Sequence, residues 1–326
     1  MIKLPTILVI GAGQLGSRHL QALVKLQTQV NIFVIDPSLD SLNLTEQRAK
    51  EISGYERHQL TYRQEIKDLP EIDFAVVASS ANVRRQIVED LLSITNVTNL
   101  LLEKVLFQNA QDCIEVGKLL ADRNVNTWVN APRPMWSCYR ALKQSIGGEP
   151  IQKFVIGGSG WGLGCNAYHM LDLITWLTDS QIINLSSEFI DKPPIASKRN
   201  GFYELTGTLI GSLESGTLLT LSDPGGTPKN TYILIETEDR LIHISEATQK
   251  LTLVSGAPLP SDLEEIKFAP EFQSDLTNRV VEVVLQSGEC ELASYNQASE
   301  IHQKMLNEFA KCFPQKQEGG LLCPIT

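Results

Sequence analysis

The 326-residue chain lacks any apolar run near the roughly 18 residues that cross a bilayer, which excludes a membrane-spanning helix by sequence. It also lacks a dense Lys/Arg tract. Arg84 and Arg85 are only a pair, and a formal net charge of -10 argues against nucleic acid or an anionic membrane as partner. The six cysteines, Cys113, Cys138, Cys165, Cys290, Cys312 and Cys323, include no CxxC pair. That excludes structural-zinc spacing and reads as reduced thiols in a reducing compartment. The start, MIKLPTILVIGAG, lacks the small-residue cleavage site of a signal peptide, so a cytoplasmic protein is expected. Repeats and low-complexity tracts are absent. What remains, 42% apolar and 20% charged, suits a soluble enzyme of two domains.

The most informative stretch is residues 6–36. Ile7, Leu8, Val9 and Ile10 form a short apolar run that suits a strand buried on both faces, and it leads into Gly11, Gly13 and Gly16 with GxGxxG spacing. The spacing alone is weak evidence, because a structural turn produces it too. Strand, turn and helix start together make it a dinucleotide site: Gly11 for the turn, Gly13 for close approach of a pyrophosphate, Gly16 for helix packing. Gln14 and Leu15 lie in the helix start, whose free N–H groups and dipole favour the anion. Residues 30–35 form a second strand ending at Asp36. A carboxylate there accepts the ribose hydroxyls and repels a 2'-phosphate, so NAD is favoured over NADP. Arg18 and His19 are read as facing solvent or phosphate.

The third strand is placed at 60–63 and the fourth at IDFAVVASSA. The fourth exits at Ala78, Ser79, Ser80 and Asn82, on the edge where ligands lie in a doubly wound sheet; helix capping is the plainer role for Ser79 and Asn82. Residues 97–102 form the next strand and end at Glu103 and Lys104, placed to touch the cofactor. Lys104 can also hydrogen-bond a substrate hydroxyl or stabilise an alkoxide, against the default of a solvated lysine. A helix at 111–123 and a last strand closing at Asn130 complete the unit. NAPRPMW then crosses to a second domain, with Arg133 either ion-paired or facing substrate.

Beyond a helix at 137–145, KFVIGGSG reads as a strand entering a glycine loop, GGSGWGLGCN, which has no Walker lysine. A helix starting near Cys165 or Asn166 puts His169 and Asp172 one turn apart. His169 is expected to move a proton and Asp172 to fix its tautomer or bind a hydroxyl. One His and one Asp are too few for a metal site, and none is expected. From residue 189 the alternating runs indicate an antiparallel sheet, with a turn at Glu238-Asp239 and helices at 276–286 and 299–309. The tail from Cys312 reads as irregular.

GAGQLGSRH, the Glu103-Lys104 pair, NAPRP and the HMLD helix together resemble the glucose-fructose oxidoreductase, inositol 2-dehydrogenase and rhizopine-catabolism (Gfo/Idh/MocA) family over nearly the whole chain. The resemblance implies an N-terminal Rossmann domain with a parallel sheet, 1–130, and a C-terminal α+β domain on a large open, mostly antiparallel sheet, 131–326. It further implies NAD(P), a sugar, inositol or nucleotide-sugar substrate, and a homodimer or homotetramer. Lys104, His169 and Asp172 become the catalytic set, with Arg133, Cys165 and Asn166 joining Lys104 and His169 around substrate. Val105 stands where the family usually has proline, Arg84 where many members have histidine, and Cys165 where a carboxylate is usual. The expected reaction is hydride transfer between nicotinamide and a ring carbon. The alternative is a non-catalytic dinucleotide-binding sensor or assembly protein.

Overall fold

The computed structural model describes residues 3–258, 263, 267–314 and 322–326. It divides into two compact units: Met1–Phe107 with Asp112–Asn130 and Glu271–Ser299, and Gln108–Gln111 with Ala131–Pro270 and Glu300–Thr326. The segment Glu271–Ser299 thus groups with the nucleotide half, although it follows the second sheet in sequence.

In the first unit β1 (Thr6–Ile10) is buried at every position, as its unbroken apolar run requires. It is followed by α1 (Gln14–Leu23), β2 (Asn31–Ile35), α2 (Leu39–Lys50), β3 (Gln59–Arg63), β4 (Ile72–Val77), α3 (Ala81–Ile94), β5 (Val97–Glu103), α4 (Ala110–Asp122) and β6 (Asn126–Asn130). The six strands pair in parallel in the order β3-β2-β1-β4-β5-β6. The order reverses direction between β1 and β4. Loops leaving the carboxyl ends of those two strands therefore part to opposite faces and leave a crevice, the place where such sheets take ligands.

The second unit contains α5 (Ser137–Ile146), β7 (Ile151–Ser159), α6 (Leu163–Thr178), β8 (Ile182–Ile190), β9 (Ile195–Ala196), β10 (Tyr203–Glu204), β11 (Gly207–Leu213), β12 (Leu218–Asp223), β13 (Lys229–Thr237), β14 (Arg240–Ser245) and β15 (Lys250–Gly256). Seven of these strands form one sheet, β15-β14-β13-β7-β12-β11-β8, antiparallel throughout except for the β7–β12 pair. Helix α6 packs against β7 and β12. Phe154, Ile156, Leu219, Leu221, Ile233 and Ile235 point inward from alternate positions and are buried. Further along the chain come the helices α7 (Thr277–Ser287) and α8 (Tyr295–Ala310).

Several expected boundaries shift for local reasons. The sheet begins with β7 at Ile151, and β8 opens at Ile182, ahead of residue 189; β8 carries register shifts against β11 that break its alternation. The alternating run FYELTGTLIG, residues 202–211, is split: Tyr203–Glu204 pairs with β9, and Gly207 at φ +101° starts a new strand. The glycine loop is shorter than GGSGWGLGCN, since Gly157 and Gly158 belong to β7. The Tyr232 ring lies across Gly157, where an added Cβ would sit 2.3 Å from it. Helix α6 accordingly opens at Leu163. Helix α8 opens at Tyr295 because Ser294 and Gln297 form a reciprocal cap, with Ser294 N–H donating to Gln297 Oε1 at 3.0 Å and Gln297 N–H to Ser294 Oγ at 3.5 Å. The tail residues 315–321 lie outside the described residues.

Candidate functional site

The glycine turn explains itself atom by atom. Gly11 holds φ +96°, and a Cβ there would come within 2.9 Å of the Ala78 carbonyl carbon. At Gly16 a Cβ would lie 1.7 Å from the Gly11 carbonyl oxygen, so only glycine lets α1 rest on the turn. Gly13 is different: an added Cβ meets nothing within 4 Å. That side of the turn is open, and Gly13, Gln14 and Leu15 are exposed at the positive end of α1.

Asp36 follows β2 and is half-buried. Its carboxylate accepts the Ala12 N–H at 2.7 Å and the Ser38 N–H at 2.8 Å, so it pins the glycine turn. Carboxylate oxygens have about four acceptor positions in all, which leaves capacity for ribose hydroxyls. Beyond β4, Ala78 and Ser79 are half-buried and Asn82 is exposed. Ser80 Oγ donates to Asn82 Oδ1 at 2.7 Å. The Ser79 hydroxyl is buried and has no hydrogen-bond partner among the described residues. An open pyrophosphate side, a carboxylate at the ribose position and an orphan hydroxyl beside Gly11 fit a dinucleotide.

Gly13→Val should therefore separate binding from folding. The backbone there, φ -68° and ψ -165°, admits a branched residue, and the side chain enters open space. Calorimetric titration is expected to show NAD affinity reduced at least tenfold, on the order of 1.4 kcal/mol, with the melting temperature retained.

At the end of β5, Glu103 is 3% exposed and turned into the unit. Its Oε1 is held by His19 Nε2 at 2.9 Å and by the Asn130 amide. Asn130 also donates to Gln273 Oε1 at 2.8 Å, Gln273 donates to Thr277 Oγ1 at 2.8 Å, and Thr277 Oγ1 meets His19 Nδ1 at 2.8 Å. His19 is 0% exposed, so it faces neither solvent nor phosphate as expected from sequence; Arg18 does face solvent and donates to Gln21. Burial draws the Glu103 pKa up, but His19, Asn130 and neighbouring Lys104 outweigh it and hold it below the ordinary value.

Lys104 follows and is half-exposed. Arg84, in the first turn of α3, is 1% exposed. It donates to the carbonyls of Ser79, Val105 and Leu106, the last at 2.8 Å. Burial lowers its pKa to about 10, which still leaves it a cation at neutral pH. Sequence reasoning did not find these roles for His19 and Arg84.

In the second unit two carboxylates shape the approach to α6. Asp223, 1% exposed at the end of β12, accepts the N–H groups of Gly160 at 2.6 Å, Gly162 at 2.7 Å and Gly225 at 2.8 Å. Glu204 accepts from the Gly164 N–H and so caps the helix at the positive end of its dipole. Asn166 donates to the Trp161 carbonyl at 2.6 Å, and the Cys165 thiol lies 3.6 Å from the Gly162 carbonyl. Both side chains are half-buried, as is His169 one turn on.

Asp172 points elsewhere. It is 3% exposed, and Tyr168, four residues back, donates to its Oδ1 at 3.3 Å. The expected tautomer-fixing bond to His169 is replaced by this one, because a residue at i+4 overlies its partner more closely than one at i+3 on this inward face. Asp172 Oδ2 is buried with no hydrogen-bond partner among the described residues. Burial pushes the carboxyl up to about 7, against the opposing effects of Tyr168 and of Arg133.

Arg133 is ion-paired, one of the two roles open to it. Its Nε and Nη2 donate to Glu246 Oε1 and Oε2, each at 2.8 Å, and its guanidinium lies 5.2 Å from the Trp136 ring. The Tyr139 hydroxyl adds a 2.6 Å bond to Glu246. Burial pulls the Glu246 pKa up, but Arg133 and Tyr139 outweigh it and hold the group ionised.

Residues 6–131 match the family model GFO_IDH_MocA, described as an oxidoreductase family with an NAD-binding Rossmann fold. The whole chain also shares its fold with solved structures. One is an oxidoreductase from Agrobacterium radiobacter in complex with NAD+, L-tartaric acid and magnesium, 14% identical, TM-score 0.70, covering 94% of this chain and 96% of that one. A second is scyllo-inositol dehydrogenase from Lactobacillus casei with NAD(H) and scyllo-inositol, 15% identical, TM-score 0.67, covering 95% and 97%. A third is the transcriptional regulator Gal80p from Kluyveromyces lactis, 17% identical, TM-score 0.69, covering 95% and 93%. No curated protein matches the chain by sequence. At such identities the likeness establishes the fold, and over residues 6–131 the match is to the NAD-binding Rossmann domain of the Gfo/Idh/MocA oxidoreductase family.

Proposed function

We propose that the protein is an NAD-dependent oxidoreductase acting on a ring carbon of a sugar, inositol or nucleotide-sugar. The observation that carries this reading is Lys104, half-exposed at the carboxyl end of β5, on the same sheet edge as the glycine turn and Asp36. NAD supplies a hydride acceptor at nicotinamide C4, and its reduced form a donor. Gly11 to Gly16 hold the diphosphate, and Asp36, Ala78, Ser79 and Asn82 line the nucleoside portions. Lys104 hydrogen-bonds the reacting oxygen and lowers the cost of negative charge developing there. His169 takes the hydroxyl proton in oxidation and returns it in reduction; an imidazole has its ordinary pKa near working pH. Cys165 and Asn166 contact substrate from the start of α6. Arg133 is held by Glu246, and Asp172 lies on the inward face of α6 against Tyr168.

A screen of sugars, inositols and nucleotide sugars with NAD and NADP, followed at the nicotinamide absorbance, tests the reading. Turnover with at least one class is expected; NAD binding without turnover across the panel would favour the sensor reading. That second reading is favoured by Asp172, buried against Tyr168, and by Cys165 in place of a carboxylate.

Cofactor choice follows from Asp36. A 2'-phosphate would meet its charge and forfeit the ribose hydrogen bonds. Dissociation constants are expected to favour NAD over NADP by about tenfold or more, on the order of 1.4 kcal/mol. Equal affinities would remove Asp36 from the ribose site.

A further inference from the structure

Lys104 is held from both sides along the chain. The residue before it, Glu103, has its carboxylate fastened by His19 from α1 and by Asn130 from the end of β6. The two residues after it, Val105 and Leu106, have their carbonyls fastened by the Arg84 guanidinium from α3. The same guanidinium reaches the carbonyl of Ser79, on the loop leaving β4. Glu103, His19 and Arg84 are each at most 3% exposed. A half-exposed lysine thus stands on a backbone segment whose neighbours are locked into the unit's interior.

We infer that His19 and Arg84 are positioning residues that fix Lys104 relative to the cofactor loops, His19 from the glycine-turn helix and Arg84 from α3, where it also holds the loop after β4 through the Ser79 carbonyl. The chemistry suits the task. His19 bonds Glu103 through one ring nitrogen and Thr277 through the other, so its ring cannot rotate without losing both. Arg84 offers a planar fork that serves acceptors on two loops at once, which the single ammonium of a lysine cannot reproduce. Among the described residues Arg84 makes no ion pair with a carboxylate; its partners are three backbone carbonyls, and its geometry therefore reports directly on the backbone around Lys104. The inference rests on the catalytic reading of Lys104, but its test does not depend on turnover.

The test is peptide-level hydrogen–deuterium exchange over residues 102–107 in the full chain, with NAD titration and melting temperature measured on the same samples. Arg84→Lys and His19→Ala are expected to remain folded, to bind NAD within about threefold of the parent, and to exchange at least tenfold faster over 104–107. His19→Gln, which keeps a side-chain N–H donor toward Glu103, should recover most of the protection. On a substrate found by screening, kcat should fall at least tenfold in Arg84→Lys while KM for NAD stays near the parent value. Unchanged exchange over 104–107 in a folded variant of either residue would overturn the inference, whether or not turnover exists. Faster exchange in a protein that turns over no substrate would leave the clamp standing and remove only the catalytic reading of Lys104.

Discussion

Replacing Lys104 by alanine is expected to lower turnover by roughly a hundredfold or more while leaving NAD affinity within a few-fold of the parent. The reason lies in where the side chain stands. Its backbone is fixed by buried neighbours, but the side chain itself is half-exposed, and the glycine turn, Asp36 and the Ser79 loop lie on other segments. Losing an ammonium that strengthens its bond as charge builds on the reacting oxygen raises the barrier by about 2.7 kcal/mol for each hundredfold. His169→Ala should fall by a similar factor if His169 carries the proton as proposed above; the helix it sits on is capped by Glu204 and anchored by buried Tyr168, Leu171 and Ile174. Single-turnover absorbance, calorimetric NAD binding and melting temperature on the same preparations check both variants. A fall in melting temperature with unchanged turnover in the folded fraction would make either residue structural.

Asp172 carries the largest expected effect on stability. Its ordinary pKa of 3.8 rises to about 7 in the folded chain, because burial against Tyr168 leaves one oxygen unmatched. A raised acid takes up a proton on folding. Its stabilising contribution is therefore complete below about pH 4 and is lost as pH climbs to about 7. Between pH 4.5 and 8 the parent should lose about 3 kcal/mol that Asp172→Asn does not lose, a tenfold change in proton affinity being worth about 1.4 kcal/mol. The amide also buries an N–H pair, at a cost of about 1–3 kcal/mol, but that cost is the same at both pH values and cancels in the comparison. Denaturant midpoints of the two proteins at the two pH values read the difference. Parallel pH profiles would mean that Asp172 is ionised in the folded chain.

The nucleotide half was legible because its signals are local. A buried β1 with the apolar run Ile7–Ile10, three glycines at fixed offsets and a carboxylate at the end of β2 all lie within 31 consecutive residues, and Gly11 and Gly16 meet the steric demands assigned to them. The His19–Glu103–Thr277 chain was not legible, since its members stand 84 and 258 positions apart and a lone histidine in a helix announces no partner. Arg84 was visible as a departure from the family pattern, but its carbonyl partners follow from how two loops meet. The start of α8 was readable and missed: Ser294 and Gln297 have capping-box spacing, masked by the weak periodicity before Ser299. Asp172 shows the limit of helical-wheel reasoning, where sharing a broad face with His169 did not decide which of two neighbours would take its hydrogen bond.

The segment Glu271–Ser299, which closes the buried network through Gln273 and Thr277, has a consequence for biosynthesis. A chain leaving the ribosome completes all six strands of the Rossmann sheet, then makes the entire second sheet, before these residues exist. Through that interval the nascent first half holds His19 and Asn130 without two of their partners, and α1 and β4 without the covering face of α7 built from Val280, Val281 and Val284. The nucleotide half, first in sequence, is thus among the last parts to mature. A fragment ending at Asn130 is an unfinished domain with an apolar flank, and it presents the kind of surface that chaperones hold.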